Sequence, residues 1–130
     1  MRYNLTNKII IVTGATSGIG FACVRDLVKA GAVVIGVGRN ENRNQSSKNA
    51  VLELHPNGNL EYLLCDFSVQ SQVRTLAEDI RYLLTKWGFN HIDGLINNAG
   101  VYLEKKQMTA DGFEMTFAVN HLGQFLLTHQ

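Results

Sequence analysis

The sequence is poor in cysteine and carries almost no net charge. Its two cysteines, Cys23 and Cys65, lie far apart and match no metal-binding or redox spacing. We therefore expect two reduced, mostly buried thiols and no metal site. The formal net charge is +1 and no basic stripe is present, so the composition gives no reason to expect nucleic acid as a partner.

Long apolar runs are also missing. No run approaches the ~18 apolar residues that a transmembrane helix needs. The N-terminal residues MRYNLTNK are polar and unlike a secretory signal. Apolar residues nevertheless make up 45% of the 130 residues, which is enough for one domain with one core. We expect a folded cytoplasmic protein.

Short β-branched runs alternate with longer amphipathic stretches along the chain. The pattern predicts strands over residues 8–13, 32–38, 60–65 and 92–97, and helices over 18–30, 41–54, 69–86 and 109–130. Gly31 is the expected end of the first helix and Thr109 the expected N-cap of the last. The βαβαβαβα order predicts an α/β fold: a Rossmann-type, doubly wound parallel sheet with strand order 3-2-1-4.

The stretch TGATSGIG, residues 13–20, lies between the first predicted strand and the first predicted helix. Gly14, Gly18 and Gly20 allow a pyrophosphate to approach the backbone N–H groups of a helix N-terminus, where the helix dipole is positive. Thr16 and Ser17 add hydroxyl donors beside the phosphates. A tight glycine-rich turn without a ligand is the alternative. The strand before the loop and the helix after it favour a nucleotide site.

Two charged residues bear on which nucleotide binds. Arg39 follows the second strand, about 20 residues past the glycine loop, where an acidic residue would favour NAD. A guanidinium there pairs with a 2′-phosphate and favours NADP, although an ordinary surface arginine is the alternative. Asp66 follows the third strand. It either accepts from the adenine amino group, which we favour, or caps the next helix, a task that Ser68 also fits.

These motifs, in this order, resemble those of the short-chain dehydrogenase/reductase family. They are TGATSGIG at 13–20, NNAG at 97–100 and the asparagine of FAVNHLG, Asn120. The segment TADGFEMTFAVNHLGQFLLTH at 109–129, and GRN after the second strand, look like the retinol dehydrogenase group. The resemblance covers essentially the whole chain. It implies an NADP-dependent oxidoreductase that acts on a small-molecule alcohol or carbonyl substrate.

The resemblance also implies site residues. Gly14, Ser17, Gly18, Ile19 and Gly20 would line the pyrophosphate and adenosine, Asp66 and Phe67 would flank the adenine, and Asn98, Ala99 and Gly100 would run beside the cofactor ribose. Asn120 would have a catalytic role. In the family, its counterpart distorts a helix so that a backbone carbonyl holds a water in a proton relay.

The family's chemistry further requires a serine, a tyrosine, and a lysine four positions after that tyrosine, all normally beyond the Asn120 helix. Tyr82 with Lys86, and Tyr102 with Lys106, match that spacing, and we interpret both matches as chance. Residues 1–130 are therefore interpreted as the dinucleotide-binding part of one domain, without the later strands and the C-terminal catalytic part.

The alternative is a non-catalytic module that binds NADP(H), or that pairs with another copy or with a full-length relative. The apolar side of the last helix and the bare edge of the fourth strand would form that contact.

Overall fold

The structure is a computed structural model that describes residues 3–130. These residues divide into two compact units. The first comprises residues 3–64 and His91–Asn98, and the second comprises Cys65–Asn90 and Ala99–Gln130.

The first unit is built on a parallel four-stranded sheet. Its strands are β1 (Ile9–Thr13), β2 (Val33–Gly38), β3 (Asn59–Leu64) and β4 (Gly94–Ile96). They pair in the order β3-β2-β1-β4, and every pairing is parallel. This confirms the predicted strand order. The central strand β2 is buried at all six positions, as expected of a strand inside a parallel sheet.

Two helices of the first unit supply its apolar core. They are α1 (Gly18–Lys29) and α2 (Glu41–Leu54). Side chains from the sheet also contribute to this core. Its buried members are Val12, Ala15, Val24, Val28, Ala32, Val34, Val51 and Leu60. α1 ends as predicted: Gly31 follows its C-cap with a φ of +90°, a conformation that glycine adopts without strain.

The second unit is helical. It contains α3 (Gln70–Trp87), a short α4 (Met115–Phe117), a π-helical turn (Ala118–Leu122) and α5 (Gly123–His129). α3 and α5 pack together. The buried apolar residues of α3 recur at helical spacing and are Val73, Leu76, Ala77, Ile80 and Leu84.

The predicted start of the last helix is wrong. Thr109 does not cap it; its Oγ1 accepts from the Phe113 N–H at 3.2 Å, and its N–H donates to the Phe113 carbonyl at 2.7 Å. Gly112, with a φ of +83°, turns the chain between them. The helix begins at Met115, and the Glu114 carboxylate accepts from two N–H groups of the first turn at 2.9 and 2.8 Å. These bonds lower the pKa of Glu114.

Both cysteines are free thiols, as predicted: Cys23 is half-buried and Cys65 is buried. Burial, with a smaller contribution from the nearby Asp66 carboxylate, raises the pKa of Cys65 to about 12. Within residues 3–130, no helix combines the length and apolar character needed to cross a bilayer.

Asp93 joins β1 to β4 at the edge where both strands begin. Its Oδ2 accepts from the Ile9 N–H at 2.8 Å, its Oδ1 accepts from Lys8 Nζ at 3.0 Å, and His91 Nε2 lies 3.4 Å from Oδ2. Its own N–H donates to the Ile9 carbonyl at 2.8 Å. The Ile9 N–H, followed by Lys8, lowers the pKa of Asp93.

Replacing Asp93 with alanine should lower the thermal unfolding midpoint at neutral pH, because β1 then loses the carboxylate that pairs its first N–H. A lowered pKa stabilises the fold above the ordinary carboxyl value, 3.8, and that stabilisation disappears as the pH falls through the folded-state pKa. Asp93→Ala should therefore also flatten the acid loss of stability. Circular dichroism melts at stepped pH test this.

Asp26→Ala is the matched control, because Asp26 is exposed, pairs with its neighbour Arg25 and bonds to no strand N–H within residues 3–130, so it should change the melting profile much less than Asp93→Ala does. Equal melting profiles for the two variants would contradict the assigned role of Asp93.

Candidate functional site

The glycine loop leaves the first turn of α1 open. Gly18 opens the helix with a φ of +53°, and a Cβ added there would meet open space, so the backbone conformation alone calls for glycine. Ser17 is the N-cap, but its side chain makes no cap hydrogen bond. The side chain of a serine at the N-cap usually accepts a hydrogen bond from a backbone N–H of the first helical turn. Here its hydroxyl and the first N–H groups of α1 stay available to an anion.

Gly20 sets how closely α1 approaches the end of β1. A Cβ at this position would overlap the Gly14 carbonyl oxygen and lie 2.6 Å from Asn98 Nδ2. Asn98 Nδ2 in turn donates to the carbonyls of Thr13 and Gly14, each at 3.2 Å, and its N–H donates to Thr13 Oγ1 at 3.0 Å. The structure thus brings Gly14, Gly20 and Asn98 together. The side-chain amide of Asn98 therefore satisfies backbone carbonyl groups at the end of β1 and in the loop.

The outward side of the loop is exposed. Ser17, Gly18 and Ile19 are exposed, while Thr16 is half-buried. Ile19 shows 76% of its surface, which is unusual for a large aliphatic residue that opens a helix beside a core. Each of these residues was predicted to line the cofactor, and they share this one face.

The inward side of the loop is held by side chains that the sequence analysis did not single out. Ser47 Oγ of α2 donates to the Thr16 carbonyl at 3.4 Å, and the Tyr62 hydroxyl of β3 donates to the Ala15 carbonyl at 2.8 Å. Asn44 Nδ2 donates to the carbonyls of residues 38 and 63, at the ends of β2 and β3. No pattern in the sequence distinguishes Asn44 and Ser47 from the exposed polar residues of the same helix.

Arg39 directly follows β2 and is exposed. Among residues 3–130 no ion pair engages its guanidinium.

Asn40 is the N-cap of α2, and its Oδ1 accepts a hydrogen bond from the Arg43 N–H at 2.9 Å. A second exposed arginine, Arg43, therefore stands in the first turn of α2, four positions after Arg39. Arg43 was not among the predicted site residues.

In the second unit, Asp66 does not cap α3. Its Oδ1 accepts from the N–H and the hydroxyl of Ser68, at 2.9 and 2.7 Å. α3 begins later, its N-cap Val69 offers no side-chain bond, and the Gln70 N–H donates to Asp111 at 2.8 Å. The capping alternative, by Asp66 or Ser68, is therefore wrong. The contact of Asp66 with adenine stays a prediction.

Phe67 is buried, with 6% of its surface exposed. Its ring packs on Gly123 of α5, where an added Cβ would lie 3.0 Å from Cδ1. Its predicted position beside adenine stays a prediction.

Asn120 lies in the π-helical turn Ala118–Leu122. Its Oδ1 accepts from the Val101 N–H at 2.7 Å, and its Nδ2 donates to the Val101 carbonyl at 2.9 Å. A Cβ added to Gly100 would lie 3.3 Å from the same Oδ1, and Gln124 Nε2 donates to the Ala99 carbonyl at 3.2 Å. The side chain of Asn120 thus holds the segment after β4. Any part it takes in proton transfer falls to its main chain, at a π-turn of the kind often found at functional sites.

The two tyrosines set aside in the sequence analysis are both exposed. Tyr82 lies on α3 with 67% of its surface exposed, and Tyr102 follows β4 with 86% exposed. Neither was assigned to the site, and the structure gives no reason to change that.

Comparison with known proteins identifies the family. The sequence model described as short chain dehydrogenase matches residues 8–130. A short chain dehydrogenase/reductase of Colletotrichum higginsianum is 40% identical over 129 residues, covering 97% of this chain and 31% of the relative. Retinol dehydrogenase 11 of Mus musculus is 38% identical over 125 residues, covering 96% and 38%.

Solved structures share the fold. A citronellol catabolism dehydrogenase of Pseudomonas aeruginosa PAO1 superposes with a TM-score of 0.77 at 32% identity, covering 99% of this chain and 51% of that one. A metagenomic short-chain oxidoreductase solved in complex with NADP gives a TM-score of 0.78 at 28% identity, covering 96% and 55%. The chain spans about a third of the length of the curated relatives it matches, from 31% to 38% in the two named above.

Gly20→Ala should destabilise the protein by about 1–3 kcal/mol, because its new methyl group displaces Gly14 and Asn98 from a packed contact. Gly94→Ala is the matched control: its Cβ would sit 3.6 Å from Ile10 in ordinary contact. Chemical denaturation measures both. Equal stability of Gly20→Ala and the unchanged chain would show that the approach of α1 to the loop is not tight.

Proposed function

Because the chain belongs to the short-chain dehydrogenases, we propose that it carries the NADP(H)-binding part of an oxidoreductase of retinol dehydrogenase-like type. The substrate class is an alcohol or the corresponding carbonyl compound. The observation that carries this proposal is the open first turn of α1 beside the uncommitted Ser17 hydroxyl.

The loop fits a pyrophosphate by its donor set. Gly18, Ile19 and Gly20 provide backbone N–H groups at the positive end of a twelve-residue helix, with Ser17 at its N-cap and Gly14 before it in the loop. Thr16 and Ser17 add hydroxyl groups. Beside Gly18 the outward side is open, since a Cβ added there would meet no atom of residues 3–130 within 4 Å. An anion held in this way needs no metal ion and no cationic side chain in the loop itself.

Arg39 supports NADP over NAD. Its guanidinium stands at the end of β2 without a carboxylate partner within residues 3–130, and a 2′-phosphate is the group that would use it. An acidic residue, which would favour the unmodified ribose of NAD, is absent from this position. The related metagenomic oxidoreductase was solved with NADP, which agrees with the same preference.

The remaining predicted residues take roles that follow from the resemblance. Asp66 contacts the adenine, with Phe67 beside it. Asn98, Ala99 and Gly100 run along the cofactor ribose. When bound, the nicotinamide supplies or accepts the hydride. Asn120 acts through its main chain at the π-turn, and the acid–base serine, tyrosine and lysine are not assigned to residues 1–130.

Arg39→Ala should weaken NADPH binding by about ten- to hundred-fold, the range for a lost hydrogen bond to a charged group. NADH binding should change by less than about two-fold, since NADH lacks the 2′-phosphate. Nucleotide fluorescence titrations of the 130-residue chain measure both constants.

Arg74→Ala is the matched control, an exposed arginine on α3 that should leave both constants unchanged. An equal loss for NADPH and NADH in Arg39→Ala would remove the case for NADP. A chain that binds neither nucleotide would remove the cofactor proposal as a whole.

A second candidate function is a module that pairs with a copy of itself or with a longer relative and catalyses nothing. It is favoured by a column of stacked rings, Phe117, His121, Phe125 and His129, on the outer side of the last helical segment. Successive ring centroids are 5.4, 6.4 and 6.1 Å apart. Phe117 and Phe125 are 49% and 64% exposed, and β4 is an edge strand of its sheet. Exposed apolar faces and strand edges are common places for one chain to meet another.

If this column forms a contact between copies, sedimentation velocity should show a dimer whose population rises with concentration. Phe125→Asp should abolish the dimer by placing a charge in an apolar contact. Tyr82→Asp, an equally exposed aromatic on α3, is the control and should leave the dimer intact. A chain that stays monomeric throughout the concentration series would contradict this second function.

A further inference from the structure

The Tyr62 side chain reaches across the sheet to the glycine loop. Tyr62 lies on β3, and its register partner on β2 is Gly36. Because Gly36 has no side chain, the ring lies over it; an added Cβ there would be 2.6 Å from Tyr62 Cε1. The hydroxyl ends 2.8 Å from the Ala15 carbonyl, beyond the end of β1. One side chain from an edge strand thus spans β2 and supports the loop.

This hydrogen bond fixes the orientation of a peptide group. In a trans peptide the carbonyl of one residue and the N–H of the next point in opposite directions, and residues 3–130 contain no cis peptide. The Ala15 carbonyl is drawn inward to Tyr62, so the Thr16 N–H faces outward. Ser47 draws the Thr16 carbonyl inward at 3.4 Å, which turns the Ser17 N–H outward in the same way.

We propose that Tyr62 is a positioning residue for the cofactor, which holds the Ala15–Thr16 peptide so that the Thr16 N–H is aimed at a phosphate before the cofactor arrives. This rests on the proposed function of the loop as a pyrophosphate site. Ser47 assists at the following peptide.

The hydroxyl, rather than the ring, carries this role. A phenylalanine at position 62 would still cover Gly36 and contact the same core. What it would lose is the donor to Ala15, whose N–H is already held by the Val37 carbonyl at 3.0 Å. With the hydroxyl in place, the Ala15 residue is fixed at both its N–H and its carbonyl. Without it, the carbonyl is unpaired and the Ala15–Thr16 peptide is free to rotate.

The burial of this hydroxyl is visible in its acidity. Removal from water raises the pKa of Tyr62 to about 12, and the nearby Ser47 hydroxyl offsets part of that rise. The phenol therefore stays protonated at neutral pH, and it remains able to donate a hydrogen bond.

The test compares Tyr62→Phe with the unchanged 130-residue chain in two measurements. Without nucleotide, the NMR order parameter of the Thr16 N–H should fall from about 0.85, the value of a rigid backbone, to below about 0.6, the value of a flexible one. With nucleotide, the Kd for NADPH should rise about five-fold. The Kd for 2′-AMP, which has no pyrophosphate, should stay within about two-fold, a split that a general loss of structure would not produce.

Tyr82→Phe is the matched control and should change none of these values, since Tyr82 is exposed on α3. Gly36→Ala should reproduce the Tyr62→Phe pattern by displacing the ring. An unchanged Thr16 order parameter in Tyr62→Phe, or equal weakening of NADPH and 2′-AMP binding, would overturn the role of Tyr62. Failure of the unchanged chain to bind NADPH would instead overturn the proposed function, and the Thr16 order parameter would still show whether Tyr62 holds the loop.

Discussion

The close approach of α1 to the end of β1 is the contact on which the candidate site depends. It exists because Gly20 has no side chain to separate the helix from the Gly14 carbonyl and from Asn98. Once the helix starts at that distance, its first N–H groups lie at the carboxyl edge of the sheet, where parallel α/β folds bind ligands. Tyr62 and Asn98 then hold the carbonyls of the loop inward. The proposed anion-binding surface therefore depends on the packing behind the loop, more than on the residues that would face the ligand.

The segment after β4 uses the same kind of support. In the first unit, Asn98 forms hydrogen bonds with Thr13 at the end of β1 and with Gly14 of the loop. In the second unit, Asn120 bonds to both the N–H and the carbonyl of Val101, and Gln124 bonds to Ala99. In both places a side-chain amide supplies a donor, an acceptor or both to backbone groups that have left regular secondary structure. The amides in NNAG and FAVNHLG are thus explained first by backbone satisfaction, and any chemistry is added to that role.

The sequence predicted the sheet order, the parallel pairing and the position of the glycine loop, because these follow from periodicity and from short local motifs. The predicted bounds of α2 agree with the structure at both ends, because Asn40 and the turn at Pro56 mark them locally. The start of the last helix was missed because Thr109 is a good cap by residue type, whereas the positive φ of Gly112 prevents a helix there. Tyr62 was missed for a different reason. Its partner is 47 positions away, and no periodicity connects a strand residue to a loop carbonyl two strands distant.

Features that lower the stability of the fold lie on the outward side of the loop, and features that raise it lie on the inward side. Ser17 makes no cap hydrogen bond and Ile19 exposes 76% of an aliphatic side chain, and both positions face outward. The inward positions do the reverse: Ala15 is fully buried and both of its backbone polar groups are paired. A loop selected for stability alone would cap its helix and cover its isoleucine. The unfavourable choices are confined to the face where a bound dinucleotide would satisfy them, and this confinement is the strongest physical reason to regard that face as a binding surface.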